Sequence, residues 1–165
     1  MYTRMVVAND GSAGRQKALA GAIDLARKLS AELHMVTVEE LPRFSASIDE
    51  IAEEEDEANH RFAPVIDAAK DEANGAGVEI ETHLVPGHVV DGVIGLIKQL
   101  KADLLVVGFM GHSQLCERII GGTTDRLVRL APCAVLGGEI ARAQVFSTFH
   151  KKNAGPAMTP FRFLR

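Results

Sequence analysis

Apolar positions along the chain alternate between two spacings. Five short runs rich in Val, Ile and Leu read as strands: RMVVAND from Arg4, AELHMVTV from Ala31, GVEIETHLV from Gly77, ADLLVVG from Ala102 and CAVLGG from Cys133. Each is short, apolar and followed by turn-forming residues or the start of a helical pattern. Between them the spacing changes to that of a helix. Leu19, Ile23, Ala26 and Leu29 share one helical face. Ile48, Ile51, Phe62, Val65, Ile66 and Ala69 form a stripe along a long helix over 45–74. Pro64 falls inside that stripe and predicts a kink or a break, because proline lacks the N–H that the turn needs. Val89–Leu100 reads as an unusually apolar helix weakened by Gly92 and Gly95. A short helix follows over Thr124–Ala131.

Strands that alternate with helices predict right-handed crossovers and a parallel sheet. Runs as apolar as LLVV suit a sheet covered on both faces. The fold class is therefore α/β, a single doubly wound domain. Ligands of such sheets bind beyond the carboxyl ends of the strands, where strand order reverses. If the first strand neighbours the fourth, Asp10 and Gly108 both lie at that crevice.

Composition narrows the function classes. The 165 residues carry a net charge of −4, which argues against a nucleic-acid or membrane-surface binder. The acidic run EEEDE, Glu53 to Glu57, reads as a solvated helix face or loop. No apolar run reaches membrane-spanning length, and the first residues lack a secretory leader's apolar core. Cys116 and Cys133 fit no disulfide framework or metal spacing. These features predict a cytoplasmic location.

The chemistry concentrates in GFMGHSQLCERIIGGTTDR, Gly108 to Arg126. Gly108 ends a strand, and a backbone without Cβ there lets a ligand come close. Gly121 and Gly122 lead into a helix whose first N–H groups and dipole attract anions, phosphate above all. Thr123 and Thr124 can donate as well. The plainer reading is turns and a helix cap. The stretch is no P-loop, since no Gly-Lys-Ser/Thr follows, and it does not open from the first strand as a dinucleotide fingerprint does.

These residues resemble the universal stress protein family, with its pattern G-x2-G-x9-G-(S/T). Gly108, Gly111 and Gly121 match the three glycines. ADLLVVG before them, TTDRLVRLAPCAVL after them and VVANDGSAG near the start match too. The resemblance covers about residues 3 to 138. It implies a five-stranded parallel sheet of order 3-2-1-4-5 with helices on both faces. It also implies a nucleotide-binding domain over 1–140, followed by a basic, phenylalanine-containing extension over 141–165.

The resemblance further implies ATP as ligand. The backbone around Ala8 and Val38 would hold adenine, with Asn9 also among the nucleotide-binding residues. Asp10 would face ribose, phosphates or their Mg²⁺. Gly108, Met110, Gly111, His112, Gly121, Gly122, Thr123 and Thr124 would surround the phosphates. Pairing through the last strand, 132–138, would make a homodimer. One position departs from the pattern: Gly122 stands where the family carries a small hydroxyl residue.

The remaining reactive side chains have ordinary explanations. His34, His60 and His83 show no helical ligand spacing. His88 and Ser12 read as caps or turn residues. Cys116 shows no sign of an activated thiol, and Cys133 reads as a small core residue. The extension holds Phe146, Phe149, Phe161 and Phe163 and reads either as a loose tail or as a segment docked on a subunit. The function expected is a nucleotide-dependent stress-response or signalling regulator with at most slow ATP hydrolysis and an unknown protein partner. The alternative is a dimeric adaptor of the same fold without nucleotide.

Overall fold

The computed structural model describes residues 2–40, 48–108, 122–137 and 144–146. The elements are β1 (Arg4–Ala8), α1 (Ala13–Leu29), β2 (Glu32–Glu39), α2 (Ile48–Gly75), β3 (Ile80–Pro86), α3 (Val89–Leu100), β4 (Leu104–Val107), α4 (Gly122–Leu130), β5 (Ala134–Gly137) and β6 (Gln144–Phe146). Sheet order is β3-β2-β1-β4-β5-β6. The first five strands pair in parallel in the expected 3-2-1-4-5 order. No helix among the described residues is long and apolar enough to cross a membrane.

The period-two pattern sorts side chains onto two faces. Met5, Val7, Leu33, Met35, Leu104 and Val106 pack with Ala18, Leu19, Ala22 and Ile23 of α1 and Ala69 and Ala73 of α2. Val6, Val36, Leu105, Val107 and Val135 pack on the opposite face with Val93, Ile94 and Ile97 of α3 and Leu127 and Val128 of α4. Gly92 belongs to this packing: a Cβ there would stand 3.1 Å from Val38. The glycine that weakens α3 as a helix lets it lie close on the sheet.

Two expectations change. Pro64 does not break α2, which runs through it as one helix. Its ring is exposed, so the acceptor that loses its intrahelical donor can turn to water. The second change is at the extension. Gln144–Phe146 adds a sixth strand, antiparallel to β5, with Val135 opposite Phe146 and Gly137 opposite Gln144. Part of the extension thus docks on its own chain. The outer edge of β5, the expected dimer contact, already carries β6. Phe149, Phe161 and Phe163 lie outside the described residues.

The start of β1 is tied down by Asp103. Its carboxylate accepts the Thr3 N–H and Oγ1–H at 2.8 Å each and the Arg4 N–H at 3.1 Å. Burial pushes this carboxyl upward, but these donors outweigh it and hold it below the usual carboxylate range.

Candidate functional site

β1 pairs with β2 on one side and with β4 on the other, so sheet order reverses beside β1. The connections from these strands leave in different directions and open a cleft of about 420 Å³ at their carboxyl ends. Its apolar lining comes from Val36, Val38, Val89, Val93, Val107 and Leu127. Its polar rim combines Asp10, Arg15, Glu40 and Arg61 with Thr123 and Thr124 at the start of α4.

Seven of the expected residues meet at this cleft: Ala8, Asn9, Asp10, Val38, Gly108, Thr123 and Thr124. Gly122 opens α4 beside them. Met110, Gly111, His112 and Gly121 lie outside the described residues, as does Cys116.

Three of these residues do more than the sequence suggested. Asn9 lines the cleft, but its polar groups face inward. Its N–H donates to the Val36 carbonyl at 3.0 Å, its Oδ1 accepts the Gly11 N–H at 3.0 Å, and its carbonyl accepts Thr37 Oγ1–H at 2.9 Å. Asn9 fixes the end of β1 against β2. Asp10 is already engaged: Oδ1 accepts the Ser12 N–H at 3.0 Å, and Oδ2 pairs with Arg15. Gly108 serves the protein's own packing, for a Cβ there would stand 2.6 Å from the Gly14 carbonyl oxygen.

Gly11 makes the turn after β1 with φ +83°, a left-handed conformation that glycine adopts without strain. A Cβ at that position would also meet Val65 at 2.8 Å. The turn sets the start of α1, with the Ser12 carbonyl accepting the Arg15 and Gln16 N–H groups. Ser12 itself makes no side-chain cap, and its buried hydroxyl has no partner.

Sequence reading missed Arg15, Glu40, Arg61 and Phe62. Arg15 sits in the first turn of α1, where Asp10 can reach it. Burial lowers its guanidinium from the usual value, although arginine keeps its charge at any physiological pH. Phe62 and Arg61 come from α2, which sequence alone does not bring over this end of the sheet. The Arg61 guanidinium lies 4.6 Å from the centre of the Phe62 ring, a cation–π distance. It also pairs with Glu39 at 3.1 Å.

The sequence model of the Universal stress protein family matches residues 1–136, which span all five parallel strands except the last residue of β5. The chain belongs to the universal stress protein family. It is 30% identical over 148 residues to universal stress protein YxiE of Bacillus subtilis (strain 168), covering 82% of this chain and 98% of that one. It is also similar to a crystal structure of a universal stress protein in complex with cAMP. That likeness has 29% identity and a TM-score of 0.65 and covers 82% of this chain and 96% of the other. Universal stress protein UspA from Lactobacillus plantarum superimposes with a TM-score of 0.68 at 25% identity over 82% of this chain and 97% of that one. Gly122 is the position at which the sequence departs from the pattern the resemblance implied. An added Cβ there meets nothing within 4 Å, so no packing in the described structure requires a glycine.

Proposed function

We propose that this universal stress protein binds an adenine nucleotide, ATP with Mg²⁺, in the cleft at the carboxyl ends of β1, β2 and β4. It would act as a cytoplasmic, nucleotide-dependent regulator with at most slow hydrolysis. The observation that carries the reading is the pairing of an apolar slot with an anion-attracting rim in one cleft. Val36, Val38 and Val89 line a slot suited to a flat base. Thr123, Thr124 and the first N–H groups of α4 stand at the same cleft beside Arg15 and suit phosphates. The relative crystallised with cAMP supports the ligand class.

Asp10 fits a Mg²⁺-facing role on one condition. Its Oδ2 now pairs with Arg15, so Arg15 would exchange the carboxylate for a phosphate when nucleotide enters. Mg²⁺ bound there would neutralise phosphate charge; Asp10 and Arg15 would orient the chain of phosphates. With nucleotide bound, the Asp10 carboxylate would still accept the Ser12 N–H and would face Mg²⁺, which leaves it a weak base and suits occupancy better than rapid hydrolysis.

A second reading is favoured by Gly122: a dimeric adaptor that keeps the fold and holds no nucleotide. In either reading, pairing of two copies through 132–138 must use the part of β5 that β6 leaves open, or displace β6.

Mass spectrometry of nucleotide released from protein purified under native conditions, followed by calorimetry with ATP and Mg²⁺, separates the two. Released adenine nucleotide, or heat on titration, supports the first. A protein that arrives empty and takes up no ATP at millimolar concentration supports the adaptor.

A further inference from the structure

His34 and His83 are 49 residues apart in the sequence, which is why their spacing carried no metal signal. The sheet brings them together. His34 lies opposite Glu81 in the parallel register of β2 and β3, and His83 follows Glu81 by two residues on the same face. His34 Nδ1 stands 3.2 Å from His83 Nε2 and 3.4 Å from Glu81 Oε2. His83 Nε2 stands 3.7 Å from Glu81 Oε1. The cluster lies toward the amino-terminal end of β2, away from the nucleotide cleft.

We propose that His34, Glu81 and His83 form a binding site for a divalent transition-metal ion of the zinc class. Two ligands on a tetrahedral ion, with bonds of about 2.0–2.1 Å, stand about 3.3 Å apart. The nitrogen–nitrogen separation of 3.2 Å matches that value, the 3.4 and 3.7 Å separations to the two oxygens of Glu81 lie near it, and one ligand atom from each residue falls within 4.8 Å of the others, so an ion enters with modest side-chain movements. The donor set of two imidazoles and one carboxylate is one that zinc takes, with the fourth position open to water.

The surroundings agree. His34 is only 6% exposed, and its other ring nitrogen, Nε2, is buried without a hydrogen-bond partner. A metal on Nδ1 fixes the proton on Nε2, whose nearest described carboxylate, Glu32, stands 3.9 Å away. Arg4 is the one cation at this end of β2 among the described contacts, and Glu32 holds it at 2.5 Å. Glu81, with its side chain 66% exposed, leaves an entry path from solvent.

Zinc titration of the metal-free full chain, followed by calorimetry, should give one tight site per chain. Cobalt in its place should give the visible spectrum of a tetrahedral complex. His83→Gln and Glu81→Gln, both at partly or largely exposed positions, should each weaken zinc binding by at least about tenfold while leaving nucleotide uptake unchanged. Imidazole NMR signals of unmodified protein supply a check that needs no variant: His34 and His83 should shift first on adding zinc. Absence of zinc binding, equal affinity in the variants, or first shifts at other histidines would each overturn the assignment.

Discussion

Gly108 ends β4 directly against Gly14 of α1: a Cβ on Gly108 would lie 2.6 Å from the Gly14 carbonyl oxygen and 3.0 Å from the Arg15 Cα. Both contacts are to backbone, which cannot swing aside as a side chain can. The position therefore sets the distance between α1 and the sheet, and with it the place of Arg15 at the cleft. Gly108→Ala should destabilise the fold by about 1–3 kcal/mol, the usual cost of overpacking. Urea denaturation reads the stability change directly. A variant as stable as the parent would show that Gly108 is needed only by a ligand.

Asp103 should make the fold sensitive to acid. Its carboxyl is lowered in the folded protein, so the unfolded chain binds the proton more readily. The stabilisation is present above the unfolded value near 3.8 and is lost as pH falls through the lower folded value. Asp103→Asn keeps the shape but removes the charge that accepts the Thr3 and Arg4 N–H groups. It should cost about 1.5 kcal/mol at pH 7 and flatten the stability curve as pH falls below 3.8, where the parent loses this contribution. Thermal melts across that range would show whether the two curves converge in acid, as they should.

Cys133 should behave as an inert thiol. Burial, helped by the negative charge of Asp103, pushes it from 9.0 up to about 11. Thiolate is the reactive form, so alkylation near neutral pH should run about 100-fold slower than at an ordinary cysteine. Peptide mass spectrometry after a timed iodoacetamide pulse measures this at Cys133 alone. Alkylation there at the rate of a small-molecule thiol would contradict the burial of this end of β5.

The sequence carried the sheet well because its central strands are buried on both sides. LLVV of β4 is buried at every position, and such runs have few other readings. The site was legible where it follows strand ends: Ala8, Asp10, Val38 and Gly108 all sit just at or after a strand. It was illegible where a distant element supplies the group. Arg61 and Phe62 reach the cleft from α2, and His34 meets His83 only through β2–β3 register. β6 was hidden for another reason: a three-residue strand, Gln144–Phe146, is too short to show a period.

If the cleft takes a nucleotide as proposed, residue 122 should set how tightly it holds phosphate. The position begins α4, its φ is not in the left-handed range, and an added Cβ meets nothing within 4 Å. A serine therefore fits without displacing any described neighbour. Its hydroxyl would stand beside Thr123, where the anion-attracting end of α4 meets the cleft. A hydrogen bond to a charged group contributes about 1.5–3 kcal/mol, so Gly122→Ser should tighten ATP binding by roughly 10- to 150-fold. Gly122→Ala supplies the control. It stiffens the start of the helix by the same loss of backbone freedom, about 0.5–1 kcal/mol, but offers no hydroxyl. Calorimetry with ATP and Mg²⁺ on the three proteins separates the causes. Tightening in the serine variant alone assigns the gain to the hydroxyl. Equal tightening in both assigns it to a better-ordered helix start. No change in either would place the phosphates away from residue 122 and turn the reading toward the nucleotide-free adaptor.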